Sequence, residues 1–178
     1  HIMKKAMEKN DSGIYYPILG TCLGMQCLTI AMCGNKVSTM EHMFFDDCDT
    51  NHPVKITPEF ADSKIFKLLD QKVCTAALET GNLYYTHNDG FLPEKLQSNE
   101  LFKENCMITG TSVSKHGVEF VALVEHKKYP FFLHQYHPEK TQFERIGPVW
   151  LKRDANTVRF VFDFVTTVVD QIRKYGRA

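Results

Sequence analysis

Residues 18–26 read ILGTCLGMQ: a cysteine between two glycines, behind an apolar run and ahead of a helix-like one. The preceding "IYYPIL" (14–19) is short, apolar and rich in strand formers, so a strand is predicted to run straight into Gly20. From Leu23 to Cys33 the apolar residues continue with helical character, and Gly34-Asn35 supplies a C-terminal stop. The stretch spells strand, tight turn, helix, with Cys22 at the tip. A residue there sits on strained backbone, and its neighbours must be small for the chain to fold tightly and for a substrate carbonyl to approach. Gly20 and Gly24 meet that need. The following helix directs its first amides and its positive dipole end at the sulfur, which favours thiolate, and the Leu23 amide is placed to donate to an oxyanion. Glycines also mark plain tight turns, so a structural cysteine with small neighbours is the competing reading.

A cysteine nucleophile needs a base, and "QYHPEK" (135–140) offers one at the end of the apolar strand "PFFL". Pro138 stops the strand and fixes the chain direction, so that the His137 imidazole and the Glu139 carboxylate can lie on one side and hydrogen-bond. In a Cys-His-Glu arrangement the imidazole stabilises the thiolate and later protonates the leaving amine, while the carboxylate holds the ring in its useful tautomer. The competing reading is a surface strand end with two solvated polar groups.

The rest of the chain bounds what these motifs belong to. With 178 residues, 43% of them hydrophobic, and 21 acidic against 21 basic side chains, it has the size and balance of one globular domain. Zero net charge and scattered basic residues argue against nucleic acid or an anionic membrane as partner. No apolar stretch approaches the roughly 18 to 20 residues that span a bilayer, and "HIMKKAMEKNDSG" lacks the apolar core of a signal peptide. Six cysteines without a Cys-x-x-Cys pair make neither a disulfide scaffold nor a zinc site, and no cofactor is expected. The triplet "NDS" at Asn10 is a glycosylation sequon of the kind that also arises by chance.

"HIMKKAMEKN" has helical composition. "HPVKIT" (52–57) reads as a strand, "DSKIFKLL" (62–69) as a short helix capped by Asp62 or Ser63, and "VCTAAL" (73–78) as either type. Residues 36–50 carry few periodic signals. "CMITGTSV" (106–113), "VEFVALVEH" (118–126) and "YPFFLHQYH" (129–137) are successive strands, with turns at Lys115-His116-Gly117 and Lys127-Lys128-Tyr129-Pro130. From Asp154 to Tyr175 the residues Val158, Val161, Phe162, Val165, Val168, Val169 and Ile172 recur at three- and four-residue steps, which predicts one amphipathic helix covering a sheet. A single α/β domain is the economical reading.

Together the elbow and the His-Pro-Glu triplet resemble the signature pair of the class I glutamine amidotransferase superfamily. Within it, "YYPILGTCLG" (15–24) and "YPFFLHQYHPEKTQFE" (129–144) are similar to the nucleophile and histidine segments of the γ-glutamyl hydrolase family, including Lys140 and the pair Phe143-Glu144. The resemblance implies a flavodoxin-like three-layer sandwich with a mostly parallel central sheet. It also implies Cys22 as nucleophile, His137 as general base and acid, Glu139 as third member, and folate polyglutamates or other γ-glutamyl peptides as substrates. "YYTHNDGF" (84–91) is similar to the segment where that family places another active-site histidine, which falls on His87; a surface loop histidine is the alternative. Gln26 and Gln135 join His87 on the substrate side. Gln26 departs from the acidic residue common after the elbow in these hydrolases and matches the amidotransferases that release ammonia from glutamine, whereas Lys140 to Glu144 favours the hydrolase. The superfamily's elbow lies near mid-domain, so the chain is expected to be the C-terminal portion of a domain completed by an N-terminal segment. The family further implies a homodimer and a lysosomal, vacuolar or secreted location. Three functions follow as alternatives: a γ-glutamyl hydrolase, a glutaminase subunit feeding ammonia to a synthase, and a non-catalytic binding protein on the same fold.

Overall fold

The computed structural model of the chain describes residues 1–144 and 152–176. Helix α1 (Ile2–Asp11) precedes strand β1 (Ile18–Thr21), the elbow at Cys22 and helix α2 (Leu23–Met32), in the order expected. Strands β2 (Asp47–His52) and β3 (Lys55–Ile56), helix α3 (Gln71–Glu79), strand β4 (Leu83–His87) and the short helices α4 (Pro93–Gln97) and α5 (Glu100–Asn105) follow. Then come β5 (Cys106–Val113), β6 (Glu119–His126), β7 (Phe131–His134), α6 (Pro138–Phe143) and the long α7 (Ala155–Tyr175). Among the described residues, five strands form one sheet in the order β1-β7-β6-β5-β3, and β2 and β4 form a separate antiparallel pair. The β1–β7 pairing is parallel, and β7, β6, β5 and β3 run antiparallel to their neighbours.

Period-two alternation along β7 sorts its side chains onto two faces. Leu133 joins Met25, Met32, Phe91, Val121 and Val124 in a cluster beneath α2. Phe132 joins Phe66, Val73, Leu78, Phe120, Phe160 and Phe164 beneath α3 and α7. Helix, sheet, helix is thus the layering, with β7 central to both cores. Helix α7 begins as predicted because Asp154 Oδ1 accepts from the amides of Asn156 and Thr157 at 2.9 and 3.0 Å.

The middle of the chain departs from expectation for local reasons. "HPVKIT" is interrupted: β2 ends at His52, Pro53 brings no N–H to a ladder, and pairing resumes for Lys55–Ile56 only. "DSKIFKLL" is not an α-helix. Ser63 Oγ donates to Glu125 and the Lys64 amide donates to the same carboxylate at 3.0 Å, so the chain is pinned to β6 and manages a single 3-10 turn, Phe66–Leu68. "VCTAAL" resolves as α3, capped by Asp70 Oδ1, which accepts from Lys72 N at 3.0 Å and Val73 N at 3.2 Å. Strand β7 closes at His134, three residues before His137.

Candidate active site

Parallel pairing of β1 with β7 places Thr21 opposite His134, so the chain leaves both strands at the same end of the sheet. Cys22 follows one strand and His137 the other, which brings together residues 115 positions apart. The Cys22 amide donates to the His134 carbonyl at 2.8 Å, carrying the pairing one residue past the strand. Cys22 then takes φ 50° and ψ −110° before α2 begins at Leu23, the strained strand-to-helix turn expected of an elbow. A Cβ on Gly20 would lie 2.6 Å from Leu133 Cδ2 and 3.1 Å from the Gly24 carbonyl carbon, so any side chain here would crowd the turn. Gly24 differs: a Cβ there meets no atom within 4 Å. Packing therefore does not require this glycine, and its smallness leaves open space beside the sulfur's helix. As the first residue of α2, Leu23 has no intrahelical acceptor for its N–H, in keeping with the donor role expected of it.

The His137 amide donates to the Tyr84 carbonyl at 2.8 Å, which anchors the residue against β4. Pro138 opens α6 and puts Glu139 in its first turn, where Oε1 lies 2.6 Å from His137 Nδ1. The His137 side chain is 15% exposed and that of Glu139 54%, so the carboxylate caps a mostly enclosed ring from the solvent side. Burial works against the imidazolium, but Cys22 and Glu139 more than offset it and raise the His137 pKa to about 9. His137 Nε2 is buried and without a hydrogen-bond partner among the described residues. Hydrogen bonding to His137 keeps Glu139 below its ordinary value despite partial burial. A second histidine, His134, has its Nε2 2.7 Å from Thr21 Oγ1; burial lowers its pKa to about 4, so it is a neutral strut between the two strands.

His87 is no surface loop residue: it closes β4, is 5% exposed, and packs its ring edgewise on Phe120. Burial lowers its pKa. Its Nδ1 lies 2.9 Å from the Asp89 carbonyl, which can only accept, so the neutral ring carries its proton on Nδ1 and leaves Nε2 buried and, among the described residues, unpartnered. Gln26, 4% exposed, donates from Nε2 to that same carbonyl at 2.8 Å and to Gln135 Oε1 at 3.3 Å. Gln135, fully buried, donates from Nε2 to Cys22 Sγ at 3.5 Å. On its other side the sulfur lies 3.9 Å from the Thr86 carbonyl. The structure thus gathers Cys22, His137, Glu139, Gln26, Gln135 and His87 about one strand end. It adds the Tyr84, Thr86 and Asp89 carbonyls, which side-chain reading misses because the backbone supplies them. Lys140 turns to Glu144 at 2.8 Å, and the Phe143 side chain lies outside the described part. Among the described residues no three His, Cys, Asp or Glu side chains come together as a metal site.

Comparison with known proteins agrees with this geometry at the level of family. The family model Glutamine amidotransferase class-I matches residues 2–154. The chain is 28% identical over 173 residues to gamma-glutamyl hydrolase of Mus musculus, a match covering 96% of this chain and 52% of that protein. It is 27% identical over 144 residues to gamma-glutamyl hydrolase 1 of Arabidopsis thaliana, covering 80% of this chain and 40% of the relative. The chain spans about half the length of the curated relatives it matches. Among solved structures, that of SMU.1228c superposes with a TM-score of 0.57 at 13% identity, over 94% of this chain and 68% of the other, a likeness of fold. With the family model matched along most of its length, the chain belongs to the class-I glutamine amidotransferase family.

Proposed function

We propose that the protein is a cysteine hydrolase of γ-glutamyl amide bonds, with folate polyglutamates as its substrate class and Cys22, His137 and Glu139 as its triad. The observation that carries this reading is the parallel β1–β7 register, which delivers a strained cysteine and a carboxylate-held imidazole to one strand end. An imidazole with a pKa near 9 is protonated at neutral pH, and a protonated ring is the partner a cysteine nucleophile needs. The thiolate attacks the γ-carbonyl carbon, and the oxyanion draws on the Leu23 amide. His137 gives its proton to the departing amine as the C–N bond breaks, leaving a thioester. The now neutral ring takes a proton from water, whose oxygen attacks the thioester; the γ-carboxylic acid departs, giving its proton to solvent, and the thiolate is restored. The relatives named gamma-glutamyl hydrolase support hydrolysis of γ-glutamyl bonds.

The test incubates the full-length protein with pteroyl-polyglutamate and, separately, with glutamine, and follows products by mass spectrometry. The expected result is glutamate released from γ-linked peptide and loss of about 10³-fold or more in Cys22→Ala. Ammonia from glutamine alone would favour the amidotransferase alternative, and cleavage of neither substrate would leave a binding protein.

We propose further that a strand–helix unit of the same domain completes the sheet beside β1. Support comes from β1 itself, which among the described residues pairs on one side only, although parallel strands are ordinarily covered on both.

A further inference from the structure

The Gln26–Gln135 contact has a direction that can be worked out from one fixed point. A backbone carbonyl only accepts, so the Asp89 oxygen, 2.8 Å from Gln26, must face that side chain's NH₂. The remaining hydrogen of this NH₂ then points at Gln135 and requires the Gln135 oxygen there, at 3.3 Å. With its oxygen so held, Gln135 has its NH₂ toward Cys22 Sγ, at 3.5 Å. Neither amide can turn over without setting like groups face to face in a buried site. The His87 Nδ1–H, 2.9 Å from the same Asp89 oxygen, steadies the anchor.

We propose that Gln135 is a further catalytic residue, an N–H donor that holds Cys22 as thiolate, and that Gln26 is a positioning residue acting through it. The sulfur stands between two kinds of partner. The Thr86 carbonyl, at 3.9 Å, can satisfy only the thiol form, whereas the Gln135 N–H favours the anion and is nearer. The titratable groups around the sulfur are His137 and Glu139 from the turn after β7, neutral His134 from β7 and His87 from β4. His137 alone would stabilise the thiolate by charge. Gln135 adds a donor that carries no titrating proton, so it faces the sulfur whatever the protonation state of the imidazole. The inference rests on the reading of Cys22 as nucleophile.

Alkylation of the full-length protein by iodoacetamide, followed by mass spectrometry at each cysteine between pH 5 and 10, separates the two. In the unaltered protein Cys22 should react faster than the exposed Cys27 and Cys48 below pH 7. If it does not, the nucleophile reading fails, whatever the variants do. In Gln135→Met the half-maximal point of the Cys22 profile should rise by about one pH unit, so that alkylation below it slows about tenfold, with the high-pH plateau unchanged. A merely structural role would lower the plateau and leave the midpoint. Gln135→Glu, which keeps the shape and replaces the donor by a charge, should move the midpoint further and carries the test if the Met variant fails to fold. Gln26→Met should shift the midpoint about half as far, and the double variant Gln26→Met/Gln135→Met should match Gln135→Met alone. Superimposable midpoints for the unaltered protein and both Gln135 variants, with Cys22 still the fastest thiol, would overturn the proposal; additive shifts in the double variant would overturn the role of Gln26.

Discussion

His137 and Glu139 differ in exposure, and the difference assigns their work. The ring is mostly enclosed and the carboxylate half in solvent, so Glu139 orients and charges His137 without itself being forced to neutralise. Folding raises the His137 pKa from 6.5 to about 9. The protonated ring therefore contributes stability in full below about pH 6.5, and that contribution is lost as pH rises through about 9. Glu139 is shifted the other way, so its share is present above its ordinary 4.5 and is lost as pH falls through the lower folded value. Glu139→Gln should accordingly lose most stability between about pH 4.5 and 6.5, with the deficit closing above pH 9, as read from urea unfolding across pH. Its hydrolytic activity should fall about 10²-fold. The basic limb of its pH profile should move below 9, because the ring would then lose its proton earlier. A deficit that stays constant with pH would separate the carboxylate from the ring's titration.

The elbow between β1 and α2 uses its two glycines for different purposes. At Gly20 an added methyl would press on Leu133 and on the backbone of Gly24, so Gly20→Ala should destabilise by about 1–3 kcal/mol in denaturant unfolding. At Gly24 the same methyl meets nothing and sits in a helix, so Gly24→Ala should hold or gain about 0.5–1 kcal/mol. If the substrate carbonyl approaches over that open position, Gly24→Ala still loses about tenfold in kcat/KM while remaining stable. Full activity in the Ala variant would place the approach elsewhere. These elements were legible in the sequence because their causes are local: a glycine before the elbow, a proline after His137, an apolar period along α7. Strand β2, DCDTNH, was not. It has no apolar alternation, and distant partners hold it: β4 pairs along it, and the Asp47 carboxylate accepts from the Lys115 amide at 3.0 Å. The Gln26–Gln135 relay was hidden for the same reason, since it depends on how α2 packs over β7 and on no spacing within either.

At the scale of the molecule, α7 and β1 both carry apolar surface that no described residue covers. Gly20 points toward Leu133 and α2, so by alternation Leu19 and Thr21 point to the opposite side of the sheet. There Thr21 meets His134, whose ring packs on Phe164 of α7. Leu19 is nevertheless 43% exposed. Helix α7 buries Phe160, Val161, Phe164 and Val168 but leaves Phe162, Val165, Val169 and Ile172 exposed, a second apolar stripe at steps of three, four and three. A helix apolar on two sides fits between two neighbours, and an open parallel edge fits another strand. The proposed strand–helix unit would supply both at once. The 178-residue chain alone should then self-associate, and Phe162→Lys with Val169→Lys should reduce that association, read by light scattering, without loss of helical signal. In the full-length protein the same two substitutions should destabilise, since each puts an ammonium into a covered face. A monodisperse, active monomer from the 178-residue chain would show that the site works without the added unit and that this face is open in the functional protein.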